Sequence, residues 1–233
     1  MNRTDIFLEE YKKLENAAIK KYDLPDDGSA VMKLINMSSF RGIKSELSYC
    51  REVRNLLQHR PRVDGTFAVE PSNEMIELLR STIERVEKPI LARDVAILRN
   101  SVCFRKMGDK VRPAMIEMQE KTFTHIPILD NNGVVVGVFS ENTLLSYLID
   151  DEIVGIDENT RFADLKKYLP VSAHKSESFY FVPQNKLLAD IKTRFEKSLQ
   201  KQERIGLLFM TNNGKATEPL QGLISAWDVA AKE

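Results

Sequence analysis

The sequence predicts an α+β protein in which an all-α four-helix bundle precedes an α/β region. Two observations predict this architecture. Over residues 1–88 the apolar side chains recur at the spacing of amphipathic helices, whereas later short apolar runs alternate with turn residues. The later part also repeats itself, which indicates two similar units packed together. We therefore expect a helical domain over 1–88, a first copy over 91–151 and a second copy over 152–233.

Four helices are expected in the helical domain. The first covers about 4–22 and ends where a Leu-Pro-Asp-Asp-Gly-Ser segment breaks the apolar pattern. A short second helix is expected over 31–37. The third is expected over 38–59, because Pro61 disfavours helical backbone in the residue before it. The fourth follows Pro-Ser-Asn-Glu at 71–74, a typical helix start.

Each copy in the later part is an apolar run, an Asn-Asn-Gly turn and a second apolar run that ends at a serine. The turns lie at 131–133 and 212–214, and the serines are Ser140 and Ser225. Asn-Gly between β-prone runs predicts a hairpin with a type I′ turn, which requires positive φ at both central residues. A short helix should follow each hairpin, and the second copy carries an insertion at 216–219.

The composition excludes several classes of protein. Lys and Arg together number 34, as do Asp and Glu, so there is no overall basic field of the kind that a nucleic-acid coat protein has. No apolar stretch is long enough to cross a bilayer, and the polar start is unlike a secretory signal, so we expect a cytoplasmic protein without a membrane partner. Cys50 and Cys103 lack metal-type spacing, and no metal is expected.

Residues 91–233 resemble a tandem pair of cystathionine beta-synthase (CBS) domains, a module that binds adenosine nucleotides. The resemblance is carried by Ile-Pro-Ile-Leu-Asp at 126–130, by the Gly-apolar-apolar-Ser that ends each second strand, and by Ser-Ala-Trp-Asp at 225–228. It implies AMP, ADP or ATP as the ligand, with Asp228 accepting from the ribose hydroxyls and Ser225 near phosphate. The same two residues can also act only as a helix cap.

The first copy has Ser140 and Thr143 in the equivalent motif. A single hydroxyl at Thr143 cannot accept from both ribose hydroxyls, so the second cleft is expected to bind better. His125 and Arg204 are further candidate phosphate ligands, although a hydrogen-bonded structural role is the commoner one for such a histidine. His174 lies in a polar stretch and is expected on a loop surface.

The string Arg-Asn-Leu-Leu-Gln-His at 54–59 resembles the Arg-x4-His motif of the HEPN (higher eukaryotes and prokaryotes nucleotide-binding) superfamily. The resemblance covers about 1–88 and implies a small antiparallel helical domain, usually dimeric, whose nuclease members cleave RNA without a metal. It assigns catalysis to Arg54, Asn55 and His59. A histidine near a helix C-terminus suits acid/base chemistry, and an arginine can offset charge that develops on a phosphate.

These features predict a homodimeric sensor in which an adenine nucleotide bound to the CBS pair regulates a metal-independent endoribonuclease. The alternative is a non-catalytic regulatory or scaffold protein in which the helical bundle only dimerises the nucleotide sensor. The sequence leaves open which nucleotide binds, which RNA is cut and whether the ligand activates or inhibits.

Overall fold

The structure is a computed structural model that describes residues 2–59, 67, 69–149 and 155–231. The chain divides into two compact units, Met1–Ile90 and Leu91–Glu233, here called the helical unit and the C-terminal unit. The helical unit is built of helices and the C-terminal unit contains both helices and strands, which confirms the mixed class that the sequence predicts.

The helical unit, over its described residues, contains four α-helices and one 3-10 segment. They are α1 (Arg3–Tyr22), α2 (Ala30–Asn36), the 3-10 segment Ser38–Ile43, α3 (Lys44–His59) and α4 (Asn73–Glu87). The prediction of one continuous helix over 38–59 is wrong at its start, because the serines and the glycine of 38–42 are poor helix formers. Whether these helices have the HEPN arrangement remains a prediction.

Side-chain caps and a shared core hold the helices of this unit. Asn2 accepts from the backbone N–H of Asp5 at the start of α1, and Ser72 accepts from Met75 at the start of α4. Each helix buries one apolar face, and α1 packs along α4. The fully buried side chains include Phe7, Leu14, Leu34, Leu47 and Leu79.

The C-terminal unit has two sheets. The strands are β1 (Ile97–Leu98), β2 (His125–Leu129), β3 (Val135–Ser140), β4 (Ser178–Pro183), β5 (Ile205–Thr211) and β6 (Gly222–Ile224). The helices are α5 (Val111–Lys121), α6 (Glu141–Leu148), α7 (Leu188–Gln200) and α8 (Ala226–Ala230). One sheet has the order β1-β6-β5-β4, with β4 and β5 parallel, and the other is the β2-β3 hairpin.

The first hairpin forms as predicted, but its turn is not type I′. The turn is closed by the N–H of Gly133, which donates to the carbonyl of Asp130, and only Gly133 has positive φ, at 79°. The Asp130 carboxylate accepts from the backbone N–H groups of Asn132 and Val134 at 2.9 and 2.8 Å. This side chain therefore stabilises a tight turn in which glycine alone takes the left-handed conformation.

The second hairpin pairs β5 with β6 and has a longer connection. The predicted insertion at 216–219 contributes to the contact between the two copies, because the N–H of Leu220 donates to the carbonyl of Gly133 at 2.9 Å. Val134 and Pro219 also form an antiparallel bridge. The insertion thus joins the two hairpin turns.

The four-stranded sheet buries both of its faces. One face carries Leu208 and Ile224, which pack with the inner residues of α7 and α8. The other face carries Phe209 and Leu223, which pack against Val138 of the first hairpin. This second packing brings the end of β3 close to the start of β4, where the buried Ser140 hydroxyl donates to the buried carboxylate of Glu177 at 2.7 Å.

Candidate functional site

The embedded glycine of each copy lies close to a backbone carbonyl of another segment of the C-terminal unit. A β-carbon at Gly137 would lie 2.7 Å from the carbonyl oxygen of Leu169, and one at Gly222 would lie 2.7 Å from that of Ile97. Any side chain larger than hydrogen would collide with backbone at both positions. The two glycines therefore have the same structural role, and each places the serine that follows it at the start of a helix.

In the second copy, Ser225 and Asp228 form a reciprocal cap on α8. The Ser225 N–H and hydroxyl both donate to Asp228 Oδ2 at 2.7 Å, and the Ser225 hydroxyl accepts from the Asp228 N–H at 3.4 Å. Both residues are half-buried, so the carboxylate is partly open to solvent. This geometry satisfies the capping role and also presents a carboxylate at the edge of the unit.

In the first copy, Ser140 and Thr143 form the corresponding cap on α6, but both residues are buried, at 2% exposure each. The Thr143 hydroxyl accepts from the Ser140 N–H at 3.1 Å and donates to the carbonyl of Val138 at 3.3 Å. Neither side chain of this cap is therefore presented to solvent.

The Ser140 hydroxyl instead contacts a buried carboxylate, Glu177. It donates to Glu177 Oε1 at 2.7 Å, while His125 Nε2 lies 2.8 Å from Oε2 and His174 Nδ1 lies 3.3 Å from Oε1. The exposed fractions of the Glu177, His125 and His174 side chains are 1%, 10% and 2%. We call these four residues the Glu177 cluster.

Hydrogen bonds keep this buried carboxylate ionised. Burial would raise the pKa of Glu177, but the bonds from His125, His174 and Ser140 together outweigh burial and hold that pKa well below its usual range. The other ring nitrogens are also engaged. His125 Nδ1 lies 2.7 Å from the Thr124 hydroxyl, and His174 Nε2 lies 3.4 Å from the carbonyl of Leu169.

The structure shows where three further sequence candidates lie. The expectation that His174 lies on a loop surface is wrong, because its side chain is buried against Glu177 and the ring of Phe179. His125 is held within the same cluster. Arg204 is exposed, and its backbone carbonyl accepts from the Ser178 N–H at 2.7 Å. Sequence reasoning missed Glu177 altogether, since it precedes a strand and belongs to no motif.

In the helical unit, two of the three candidate catalytic residues lie together near the end of α3. Arg54 Nη1 donates to Asn55 Oδ1 at 3.2 Å, and Arg54 Nη2 lies 3.5 Å from Glu15 Oε1 on α1. The guanidinium also lies 5.6 Å from the ring centre of Tyr11. The helix ends at His59, whose side chain lies outside the described residues.

This environment is partly buried. Burial raises the pKa of Tyr11, with a further contribution from Glu15. Burial also raises the pKa of the Glu15 carboxyl by more than the neighbouring Arg54 guanidinium lowers it. The arginine that the motif assigns to phosphate binding therefore already has an acidic neighbour within its own chain.

Among the residues that the structure describes, no group of His, Cys, Asp and Glu side chains could hold a metal ion. Over the same ranges no helix has both the length and the apolar character of a membrane span.

Residues 106–150, which contain the first hairpin and α6, match the family model of the CBS domain. This match identifies a CBS domain within the C-terminal unit. No curated protein matches the chain. The family match concerns the C-terminal unit alone, so the HEPN-like nature of the helical unit stays a prediction.

Several solved structures resemble the chain. CBSX2, a CBS-pair protein from Arabidopsis thaliana, is 20% identical with a TM-score of 0.42, covering 62% of this chain and 94% of that chain. A CBSX2 structure in complex with AMP is 22% identical with a TM-score of 0.42, covering 60% and 93%. A hemolysin-like protein with a CBS domain from Oenococcus oeni is 14% identical with a TM-score of 0.41, covering 62% and 90%.

Proposed function

We propose that this chain is a regulatory protein whose C-terminal unit binds an adenine nucleotide at Ser225 and Asp228. The observation that supports the proposal most directly is the CBS-domain match in the first copy, followed by a second copy with the same hairpin, close-approach glycine and capping serine. AMP, ADP and ATP share the ribose diol that the carboxylate of Asp228 would accept from.

The second copy is the better candidate because its motif is accessible. Asp228 is half-buried and carries a carboxylate, which can accept from both hydroxyls of a ribose. Thr143, its counterpart, is buried and its hydroxyl already donates to Val138. We expect one nucleotide for each chain.

Calorimetry with AMP, ADP and ATP tests this proposal. Asp228→Ala should weaken binding by about one to two decades, since a hydrogen bond to a charged group contributes about 1.5 to 3 kcal/mol. Thr143→Ala should leave the affinity nearly unchanged. Trp227 is the single tryptophan and is 84% exposed beside Asp228, so its fluorescence offers a second readout.

Asp164→Ala is a matched control, because Asp164 accepts from the N–H of Arg161 at 2.8 Å in the same local geometry that Asp228 uses. Asp228→Asn should keep the helix cap but lose the charge, so it should bind nucleotide weakly while melting close to the wild type. Equal nucleotide affinities for wild type and Asp228→Ala would refute the proposed site.

A second candidate function is RNA cleavage by the helical unit. The supporting observation is that Arg54 and Asn55 contact each other near the end of a helix that ends at His59. The proximity of Glu15 to Arg54 instead supports the non-catalytic alternative, in which the bundle only dimerises the sensor.

Incubating purified protein with total RNA in EDTA separates the two candidates. A nuclease should cut without metal, leave a cyclic phosphate or 3′-phosphate, and lose activity in His59→Ala and in Arg54→Ala. A dimer that leaves RNA intact would support the regulatory alternative. Activity that disappears in EDTA would point to a metal-dependent mechanism or to a contaminant.

A further inference from the structure

We propose that the Glu177 cluster is an anion-binding site that the chain occupies with its own carboxylate. In this view Glu177 stands where a free anion would bind in the first copy, and it keeps a phosphate-bearing ligand out of that copy. The claim that the cluster binds an anion depends only on its contacts, whereas the claim that Glu177 excludes a nucleotide rests on the proposed function.

The donors of the cluster come from three separate parts of the unit. His125 lies on β2, Ser140 ends β3 and caps α6, and His174 lies shortly before β4. All three direct a nitrogen or hydroxyl at one carboxylate within 3.3 Å. Imidazole N–H groups and hydroxyls are general ligands for carboxylate and phosphate, and the N-terminus of α6 adds positive potential at Ser140.

The burial of Glu177 shows that its three donors replace water. A carboxylate loses its hydration when it is buried, and only a set of donors aimed at it can offset that loss. The Glu177 side chain is 1% exposed, so its hydration has been replaced almost completely by protein donors. A shell of buried donors that stabilises a carboxylate of the chain should also stabilise a separate carboxylate of the same size.

The repeat shows what differs between the copies. The linker that approaches Gly137 through Leu169 continues to Glu177, which reaches Ser140. The segment that approaches Gly222 begins with β1, has the sequence Ile-Leu-Arg-Asn-Ser at 97–101 and contains no acidic residue. The second copy therefore lacks an equivalent internal anion from this segment, and its Ser225 hydroxyl donates instead to Asp228, the half-buried carboxylate of its own helix cap.

Chemical rescue of the full-length Glu177→Ala variant tests the anion site. The variant should leave a space of carboxylate size between two imidazoles and a hydroxyl. We expect about 100 mM formate to raise its melting temperature by about 3 °C relative to chloride at equal ionic strength, as mass action predicts for a ligand of the folded state. Acetate and inorganic phosphate test the size limit of the same site.

Three proteins serve as controls for the formate response: wild type, Glu177→Gln and Glu203→Ala. Wild type and Glu177→Gln should respond to formate by less than about 1 °C, because a side chain fills the site in both. Glu203→Ala removes a carboxylate that accepts from Tyr180 outside the cluster, and it should also give no response. If Glu177→Ala does not fold in chloride, refolding it with formate becomes the measurement. A variant that formate neither stabilises nor refolds would overturn the proposal.

The exclusion of nucleotide by Glu177 is tested in the Asp228→Ala variant, in which the second copy should bind AMP poorly. Glu177→Ala combined with Asp228→Ala should bind AMP at least tenfold more tightly than Asp228→Ala alone. No gain would overturn the exclusion role of Glu177, even if formate binds. If the wild type binds no nucleotide, the proposed function fails, but the formate result still decides the anion site.

Discussion

Glu177→Gln should destabilise the C-terminal unit by roughly 3 kcal/mol at pH 7. The change keeps the volume of the side chain but removes the ionised acceptor of three buried donors. A hydrogen bond to a charged group contributes about 1.5 to 3 kcal/mol, and breaking one side of a buried charged pair costs about 3 to 5 kcal/mol. The amide retains one acceptor oxygen, so we expect the lower end of that range.

The effect should depend on pH in a definite direction. The pKa of Glu177 is lower in the folded chain than in the unfolded chain, so its stabilisation is complete above the ordinary glutamate pKa of about 4.3. That stabilisation is lost as the pH falls from this value through the depressed folded pKa. The difference between wild type and Glu177→Gln should therefore shrink as the pH falls below about 4.

Urea unfolding followed by circular dichroism at pH 7, 5 and 3.5 measures the difference, and hydrogen exchange assigns the loss to the C-terminal unit. Glu203→Gln is the matched control, because the Glu203 carboxylate also accepts a hydrogen bond from a hydroxyl but is only half-buried. The Glu203→Gln variant should therefore lose much less stability. A Glu177→Gln variant within about 0.5 kcal/mol of wild type at pH 7, or a difference that is larger at pH 3.5 than at pH 5, would refute the reasoning.

Three further predictions concern other parts of the chain. Gly137→Ala should lower the free energy of unfolding in a urea titration by about 2 kcal/mol or more, because its β-carbon would collide with the carbonyl of Leu169. The control is Gly108→Ala, whose β-carbon meets no atom within 4 Å and which should be nearly neutral. Ser72→Ala should cost about 0.5 to 2 kcal/mol in thermal melts by removing the cap of α4; no loss would contradict the assigned cap. If the helical unit cleaves RNA through His59, saturating adenine nucleotide should change the cleavage rate several-fold in wild type but not in Asp228→Ala; a melting shift with an unchanged rate would show stabilisation without regulation.

The sequence allowed prediction of the features that depend on local pattern. Helical spacing located the four helices of the first unit, and the repeated Gly-x-x-Ser located the ends of β3 and β6 and the helices that follow. These features depend on residues close together in the chain, so periodicity and capping preferences reveal them. The turn type was predicted wrongly, because the side chain of Asp130 contributes two hydrogen bonds that the Asn-Gly pattern does not represent.

The Glu177 cluster could not be predicted in the same way. Its members lie at 125, 140, 174 and 177, and only the packing of the first hairpin against the four-stranded sheet brings them together. His174 belongs to a polar stretch, which is typical of exposed loops, and Glu177 matches no family pattern. A buried cluster of hydrogen-bonded side chains from distant segments leaves no periodic signal in a sequence, so the local pattern around His174 predicted an exposed side chain.

The bridge between the two hairpin turns has a consequence for the order of folding. The β2-β3 hairpin closes a short loop, whereas the bond from Leu220 to Gly133 joins a residue of the first copy to a residue near the end of the second. Closing the longer loop costs more conformational entropy than closing the hairpin loop. The bridge should therefore form after the hairpin. During synthesis the carbonyl of Gly133 therefore stays hydrogen-bonded to water until residues 219 and 220 have left the ribosome and can form the bridge.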